Sequence, residues 1–184
     1  MRLKVTESVS WKRWGIVVLM TLMAVGAAIT RSAESQQRTD RVPDPLRTLY
    51  SLVSKDFPDV PDLTVAELER LMGQSGNVVL IDMRPAVERR VSTIPGAVSL
   101  DEWERRAASG TPSIVVPFCT IGYRSASTVQ SLRKRGIDAR NLAGGVLAWS
   151  HAERDFVQGG QPTKRVHVYG PRWNVLPSGY SGVW

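Results

Sequence analysis

The chain has 184 residues, of which 42% are hydrophobic and 22% charged, and its formal net charge is +7. This is an ordinary globular composition, long enough for one domain with extensions and for a core that needs no disulfide or metal. A single cysteine excludes an intrachain disulfide. The basic residues form no stripe interleaved with aromatic side chains, so we expect no nucleic-acid partner.

The first predicted segment, residues 1–31, is a signal-anchor or a signal peptide. Basic residues precede an apolar run over 14–29, and this order directs export. The run is near the lower length limit of a membrane-spanning helix, and the small residues at 26–28 offer a cleavage point. Trp11 and Trp14 lie where an aromatic belt would be and favour an uncleaved anchor. Both interpretations place the rest of the chain outside the cytoplasm: on the periplasmic side of the membrane if the segment is an anchor, and exported if the signal is cleaved.

Residues 32–59 are interpreted as a tether and a leading helix. The stretch 32–45 is polar and charged and contains Pro43 and Pro45, which is typical of a tether. A short helix is predicted next, because apolar residues recur there at helical spacing. These residues are Leu46, Leu49, Tyr50, Leu52 and Val53.

Helices and short apolar strands alternate through the main domain, residues 60–157. A capping box from Thr64 to Glu67 opens a helix through about residue 72, and the β-branched run 78–81 predicts a strand buried on both faces. Pro117 is expected at a strand end or edge, because it donates no ladder hydrogen bond. Further strands are predicted over 97–100, 113–118 and 139–142, and further helices over 85–90, after the cap Asp101, over 124–135 and after 145.

This alternation predicts an α/β domain with a mainly parallel sheet. In such sheets, ligands bind at the carboxyl ends of the strands. Two groups of chemically useful side chains follow predicted strands directly. One is the pair Asp82 and Arg84, and the other is the loop that begins at Cys119.

Cys119 is the candidate nucleophile. It follows a predicted strand, and a helix begins about five residues later, so backbone N–H groups and the helix N-terminus should stabilise an anionic sulfur. Arg124 adds a positive charge, Gly122 allows a tight turn with positive φ, and Ser125 can bond free N–H groups at the helix start. A buried structural cysteine is the alternative.

Two histidines, His151 and His167, occur far from this loop in sequence. A cysteine protease would need a histidine beside the thiol. Neither histidine has an orienting partner that the sequence identifies, so we expect neither to be catalytic. No metal-ligand spacing is present, and we expect no metal and no cofactor.

Four segments resemble the rhodanese family in order and spacing, over about residues 60–155. The resemblance implies a rhodanese-like three-layer fold with a mainly parallel five-stranded sheet flanked by helices. The segments are Asp82-Met83-Arg84, Ile94-Pro95-Gly96-Ala97, Cys119-Thr120-Ile121-Gly122-Tyr123-Arg124-Ser125 and Asn141-Leu142-Ala143-Gly144-Gly145-Val146-Leu147-Ala148-Trp149.

The same resemblance implies a thiosulfate sulfurtransferase-like enzyme with a persulfide mechanism. Cys119 would take a sulfane sulfur from a small anionic donor such as thiosulfate and pass it to cyanide or a thiol, and a protein acceptor stays open. Asp82 and Arg84 would tie the loop to the sheet. Thr93 stands where many family members have histidine, which leaves the substrate less defined. The implied donor-binding residues are Thr120, Ile121, Gly122, Tyr123, Arg124 and Ser125.

The last segment, residues 158–184, is rich in aromatic residues, glycine and proline. We expect it to pack on the domain as a strap. Its stretch 165–173 is similar to the ending of some bacterial single-domain rhodaneses.

Two other functions compete with sulfur transfer. A phosphatase of the same fold also uses cysteine and arginine, but four residues separate Cys119 from Arg124, whereas the related phosphatases have five and a wider cradle. A catalytically silent module that binds a partner or senses redox state at the membrane is the second alternative.

Overall fold

The computed structural model of the protein describes residues 36–75, 77–107 and 114–184, with residues 20, 23, 25–27, 29–31, 33 and 34 of the N-terminal segment. Most of the predicted signal-anchor or signal peptide therefore lies outside the described residues. Those described between 20 and 31 are helical and exposed. In the described part of the chain, no helix has both the length and the apolar character that a membrane crossing requires.

The chain folds into alternating strands and helices, as the sequence pattern predicts. A 3-10 turn, Asp44–Leu46, leads into the first helix. The helices are α1 (Arg47–Asp56), α2 (Val65–Ser75), α3 (Ala86–Val91), α4 (Leu100–Ala107), α5 (Tyr123–Lys134) and α6 (Gly145–His151). The strands of the domain are β1 (Asp62–Leu63), β2 (Val78–Asp82), β3 (Val98–Ser99), β4 (Ile114–Phe118) and β5 (Asn141–Leu142).

All five strands run parallel. One group of three strands has the order β3-β2-β4, with Val78 opposite Ile114. A second group pairs β1 with β5. A single parallel bridge between Val115 and Ala139 joins the two groups. The predicted α/β class with a parallel sheet is confirmed. The chemically useful carboxyl ends of β2 and β4 are hydrogen-bonded neighbours, since Asp82 is in register with Phe118.

Helix boundaries differ from the prediction in two places. Helix α2 continues through Gly73 to Ser75, because an exposed glycine weakens a helix by only about 1 kcal/mol and does not stop it. Helix α4 begins at Leu100, and the Ser99 hydroxyl accepts the Glu102 N–H at 3.2 Å. Ser99 therefore caps this helix, where the sequence suggested Asp101.

The segment interpreted as a tether and leading helix packs on the domain from Arg38 onward. The Arg38 guanidinium lies 2.8 Å from the Asp62 carboxylate. Apolar side chains of this segment enter the same core as β2 and β4. They are Val42, Leu46, Tyr50 and Val53, all buried. Residues upstream of the predicted boundary at 60 thus contribute to the hydrophobic core.

The tail, residues 158–184, also packs on the domain. Strands β6 (Phe156–Gln158) and β7 (Gln161–Thr163) form an antiparallel hairpin, and β8 (Arg165–His167) pairs in parallel with β9 (Ser181–Val183). The Ser92 hydroxyl donates to the Arg165 carbonyl at 2.6 Å. Val166 and Val168 are fully buried, so β8 is fixed against the body of the protein.

A buried ion pair braces the carboxyl end of β2. Arg84 donates to both carboxylate oxygens of Asp82, at 2.9 and 2.7 Å, and to the Ser92 carbonyl at 2.7 Å. The Thr93 hydroxyl donates to Asp82 at 2.7 Å. Both charged side chains are almost completely excluded from solvent. A buried charge is tolerated only when it is paired and hydrogen-bonded in this way.

We expect Arg84→Met to destabilise the protein by about 3–5 kcal/mol, because it leaves the Asp82 carboxylate buried without its counter-ion. Urea unfolding followed by circular dichroism measures this change. The control is Arg47→Met, which removes an exposed pair with Asp44 and should cost less than about 1 kcal/mol. Equal losses of unfolding free energy in the two variants would contradict the stabilising role of the Asp82–Arg84 ion pair.

Candidate active site

The Cys119 loop lies between the end of β4 and the start of α5. The Gly122 N–H donates to the Cys119 sulfur, with 3.2 Å between N and Sγ. Helix α5 begins at the next residue, so its positive end is directed at the sulfur. Cys119 itself is only 1% exposed. The predicted strand, loop and helix arrangement around the thiol is therefore present.

Gly122 shapes this loop. Its φ is +106°, in the left-handed region that favours glycine. A Cβ atom at this position would come within 3.1 Å of the Asn141 side chain and 3.2 Å of the Tyr50 ring. The expected positive φ is confirmed, and the crowding shows that the loop also rests on β5 and α1.

Helix α6 holds the other side of the loop. The Val146 N–H donates to the Cys119 carbonyl at 2.9 Å, and the Leu147 N–H donates to the Thr120 carbonyl at 3.2 Å. Gly145 makes this approach possible, because a Cβ there would lie 2.2 Å from the Cys119 carbonyl oxygen. Helix α6 thus fixes the carbonyls of Cys119 and Thr120. The Gly122 N–H makes its hydrogen bond to the sulfur instead.

Arg124 makes a bidentate ion pair with Glu88 of α3. Its Nη1 and Nη2 atoms lie 2.8 and 3.0 Å from the two carboxylate oxygens, and Nη2 also donates to the Thr120 hydroxyl at 3.1 Å. Burial opposes the charge on Arg124, but the hydrogen bonds to Glu88 and the electrostatic interactions with Cys119 and Glu88 together raise the pKa of Arg124 above its ordinary value. The guanidinium is therefore charged and fixed in position.

Glu88 was missed by sequence reasoning. It is 5% exposed although it lies in a short helix with two following arginines, a pattern that suggests a solvated face. The usable signal was its place in the segment that follows Asp82 and Arg84 at the carboxyl edge of the sheet. Nothing in the sequence indicated that it would meet Arg124, 36 residues further along the chain.

The two histidines occupy different places. His167 of β8 lies with Nδ1 3.9 Å from the Glu88 carboxylate, so the tail adds a titratable group to the Arg124 cluster. His151 contacts the Val175 carbonyl at 2.7 Å. In the described ranges, no group of three or more His, Cys, Asp or Glu side chains converges as a metal site would require.

A cavity of about 230 Å³ opens above the loop. Four of the predicted donor-binding residues line it together with Cys119, and two aromatic residues of the tail complete its wall. The lining residues are Cys119, Thr120, Ile121, Tyr123, Arg124, Tyr169 and Trp173. Sequence reasoning expected the tail to pack on the domain but did not place it at the site.

Ser125, also assigned to donor binding, is fully buried and donates to the Asn141 side chain at 2.7 Å. Asn141 in turn donates to Asp62 at 3.2 Å. The structure therefore places the Ser125 hydroxyl in a buried network between α5, β5 and β1. Asp82 and Arg84 lie in the brace at the end of β2, beside the loop, since the Met83 N–H donates to the Phe118 carbonyl at 2.8 Å.

A family model described as Rhodanese-like domain matches residues 64–152. The thiosulfate sulfurtransferase from Pseudomonas aeruginosa has a similar structure, with a TM-score of 0.51 and 24% identity, over 62% of this chain and 23% of that one. This chain thus spans about a quarter of the bacterial enzyme, and the match establishes the fold. No curated protein matches the chain.

Two further solved structures are similar to parts of this chain. A rhodanese-related protein from Thermoplasma volcanium matches at 19% identity and a TM-score of 0.46, over 53% of this chain and 97% of its own. A rhodanese-like domain protein from Staphylococcus aureus matches at 32% identity and a TM-score of 0.42, over 49% of this chain and 91% of its own.

Gly145→Ala should destabilise the protein by roughly 3 kcal/mol, because it adds a methyl group where the Cys119 carbonyl lies and forces a non-glycine residue to positive φ. Thermal unfolding measures the loss. Gly73→Ala is the matched control, since a Cβ there meets no atom within 4 Å and alanine stabilises a helix interior by up to about 1 kcal/mol. Unfolding of Gly145→Ala at the wild-type temperature would contradict the close contact.

Proposed function

Residues 64–152 belong to the rhodanese-like domain family, and on this basis we propose that the protein is a sulfurtransferase that carries a sulfane sulfur on Cys119. In the first half-reaction, the Cys119 thiolate attacks the outer sulfur of thiosulfate. The bond between the two sulfurs of the donor breaks, and sulfite leaves with the electron pair. The product on the enzyme is the Cys119 persulfide anion.

In the second half-reaction, an acceptor attacks the outer sulfur of the persulfide. Cyanide forms thiocyanate, or a thiolate forms a new persulfide, and the Cys119 thiolate is regenerated. The charge on sulfur is negative at the start and at the end of each step. A site for this chemistry therefore has to stabilise one sulfur anion throughout.

The observation that carries the proposal is the hydrogen bond from the Gly122 N–H to the Cys119 sulfur at the positive end of α5. A backbone donor and a helix N-terminus stabilise negative charge without any side chain that must move. The outer sulfur of a persulfide would extend from Cys119 toward the cavity that this residue lines.

Arg124 supplies a fixed positive charge beside the loop. Its bidentate pairing with Glu88 orients the guanidinium plane, and 35% of its side chain is still exposed. In this proposal, Arg124 is a positioning residue for the anionic donor and for the Thr120 hydroxyl, to which it donates.

A catalytically silent binding or redox-sensing module is the second candidate. Two observations favour it: Cys119 is almost fully buried, and the charge of Arg124 is already balanced by Glu88. Both would slow attack on a dianionic donor. A test for a persulfide on Cys119 separates the two candidates.

We expect the wild-type protein to form thiocyanate from thiosulfate and cyanide, and Cys119→Ala to reduce the rate to that of the uncatalysed reaction, because the mutant lacks the attacking sulfur. The colour of the iron–thiocyanate complex measures the product. Incubation with donor alone should add about 32 Da to the wild-type protein, the mass of one sulfur, and cyanide should remove it.

Ser131→Ala serves as the control variant, because Ser131 lies on α5 with its hydroxyl bonded to its own helix. It should retain wild-type activity. If wild type and Cys119→Ala are equally inactive toward several sulfane donors and neither gains mass, the silent module is correct. Phosphate release from an aryl phosphate by wild type, and not by Cys119→Ala, would instead support the phosphatase.

We also propose that the N-terminal segment attaches the domain to a membrane, with the domain on the periplasmic side. The support is the basic start followed by the apolar run over 14–29. The exposed Met20, Met23, Val25 and Ile29 in the helical part of this run add apolar surface that the domain does not cover.

The full chain should sediment with the membrane fraction and need detergent for release, whereas a variant without residues 2–31 should be soluble, because the apolar run is the attachment. Mass spectrometry of the N-terminus distinguishes an anchor from a cleaved signal. A full chain that stays in the soluble cytoplasmic fraction would contradict this proposal.

A further inference from the structure

The wall of the cavity above Cys119 is built partly by residues outside the matched range 64–152. Tyr169 and Trp173 of the tail line this space together with the loop residues Ile121 and Tyr123. The two tail rings contact each other edge to face, with centroids 5.8 Å apart and an angle of 76°. One side of the cavity is thus aromatic.

This wall is held by regular structure. Val168 donates to the Val183 carbonyl at 2.7 Å, which extends the pairing of β8 with β9. Trp173 ends a 3-10 turn, and its N–H donates to the Gly170 carbonyl at 2.9 Å. Val168 is fully buried, so the backbone next to Tyr169 is anchored although Tyr169 itself is 67% exposed.

The charge of the cavity does not favour a doubly charged donor. Among the described residues that line it, Arg124 is the one cation, and its charge is balanced by the buried Glu88 carboxylate at 2.8 Å. With Cys119 as a thiolate, the three side chains of Cys119, Arg124 and Glu88 together carry a net charge of −1. A dianion such as thiosulfate is repelled more strongly than a monoanion, and an aromatic wall offers it no partner.

We propose that Tyr169 and Trp173 determine donor specificity, and that they select monoanionic sulfane compounds with an apolar or aromatic body, of the organic thiosulfonate class, over thiosulfate. This inference rests on the proposed sulfur transfer. The aromatic body packs against the two rings, and the sulfane sulfur points to Cys119. Aromatic rings gain from such edge and face contacts beyond simple burial.

The transfer step is the same as with thiosulfate. The Cys119 thiolate attacks the outer sulfur of the thiosulfonate, and the bond between that sulfur and the sulfonyl sulfur breaks. An organic sulfinate leaves with the electron pair, and the Cys119 persulfide anion remains. Two negative charges enter the step and two leave it, so no oxidant or reductant is needed.

The test compares benzenethiosulfonate with methanethiosulfonate, which have the same charge and reacting group but differ in the aromatic body. Thiocyanate formation with cyanide gives kcat/KM for each donor. We expect the wild-type protein to prefer the benzene compound at least about fivefold. The double variant Tyr169→Ala/Trp173→Ala should lower this ratio severalfold while the methane compound is still used, and thiosulfate should be the poorest donor of the wild type.

Trp184→Ala is the matched control, because Trp184 is an exposed aromatic residue of the same tail, 62% accessible, that does not line the cavity. It should leave the ratio unchanged. If the double variant fails to fold, Tyr169→Ala alone decides, since removal of this exposed ring leaves the core intact.

Two results would overturn the inference, and they are distinguishable. An unchanged ratio in a variant that still uses methanethiosulfonate excludes the tail from specificity and leaves sulfur transfer in place. If no donor yields thiocyanate or a Cys119 persulfide, the proposed sulfurtransferase function itself is contradicted.

Discussion

The hydrogen bonds between the Cys119 loop and the two helices that follow it constrain the whole site. The Gly122 N–H, directly before α5, donates to the sulfur, and α6 binds the two carbonyls at the start of the loop. A loop whose carbonyls were free could turn them toward the sulfur and repel a thiolate. Gly145 is the residue on which this depends, because its missing side chain lets α6 reach the Cys119 carbonyl.

Beside this fixed loop, the positive charge of Arg124 is neutralised by the negative charge of Glu88. Glu88 is buried and Arg124 is partly exposed, and a buried carboxylate needs such a partner because its desolvation is costly. The pair therefore orients Arg124 more than it adds net positive charge. In the proposed sulfur transfer, selectivity among donors then depends on the shape and polarity of the cavity wall, to which the tail residues Tyr169 and Trp173 contribute.

Much of the loop could be predicted from sequence because its geometry is set locally. A strand, a glycine with positive φ and a helix start occupy adjacent residues, so Cys119 and Gly122 could be assigned directly. Glu88, Tyr169 and Trp173 could not, since only the packing of α3 and the tail brings them to the loop. The partner of Ser125 could not be predicted either. Its hydroxyl is buried and bonds Asn141, and a serine at a helix start gives no sign in the sequence of which distant residue it contacts.

The extensions on both sides of the family match complete the site. On one side, the leading segment supplies the Tyr50 ring beneath Gly122, and Asp56 accepts the Tyr123 hydroxyl at 2.8 Å. On the other side, Tyr169 and Trp173, which follow β8, form part of the cavity wall. Since the core also includes Val42 and Leu46, residues 64–152 alone would expose apolar surface and leave the cavity open. The folded unit therefore extends from about Arg38 into the tail, and the tail forms part of the wall of the candidate site.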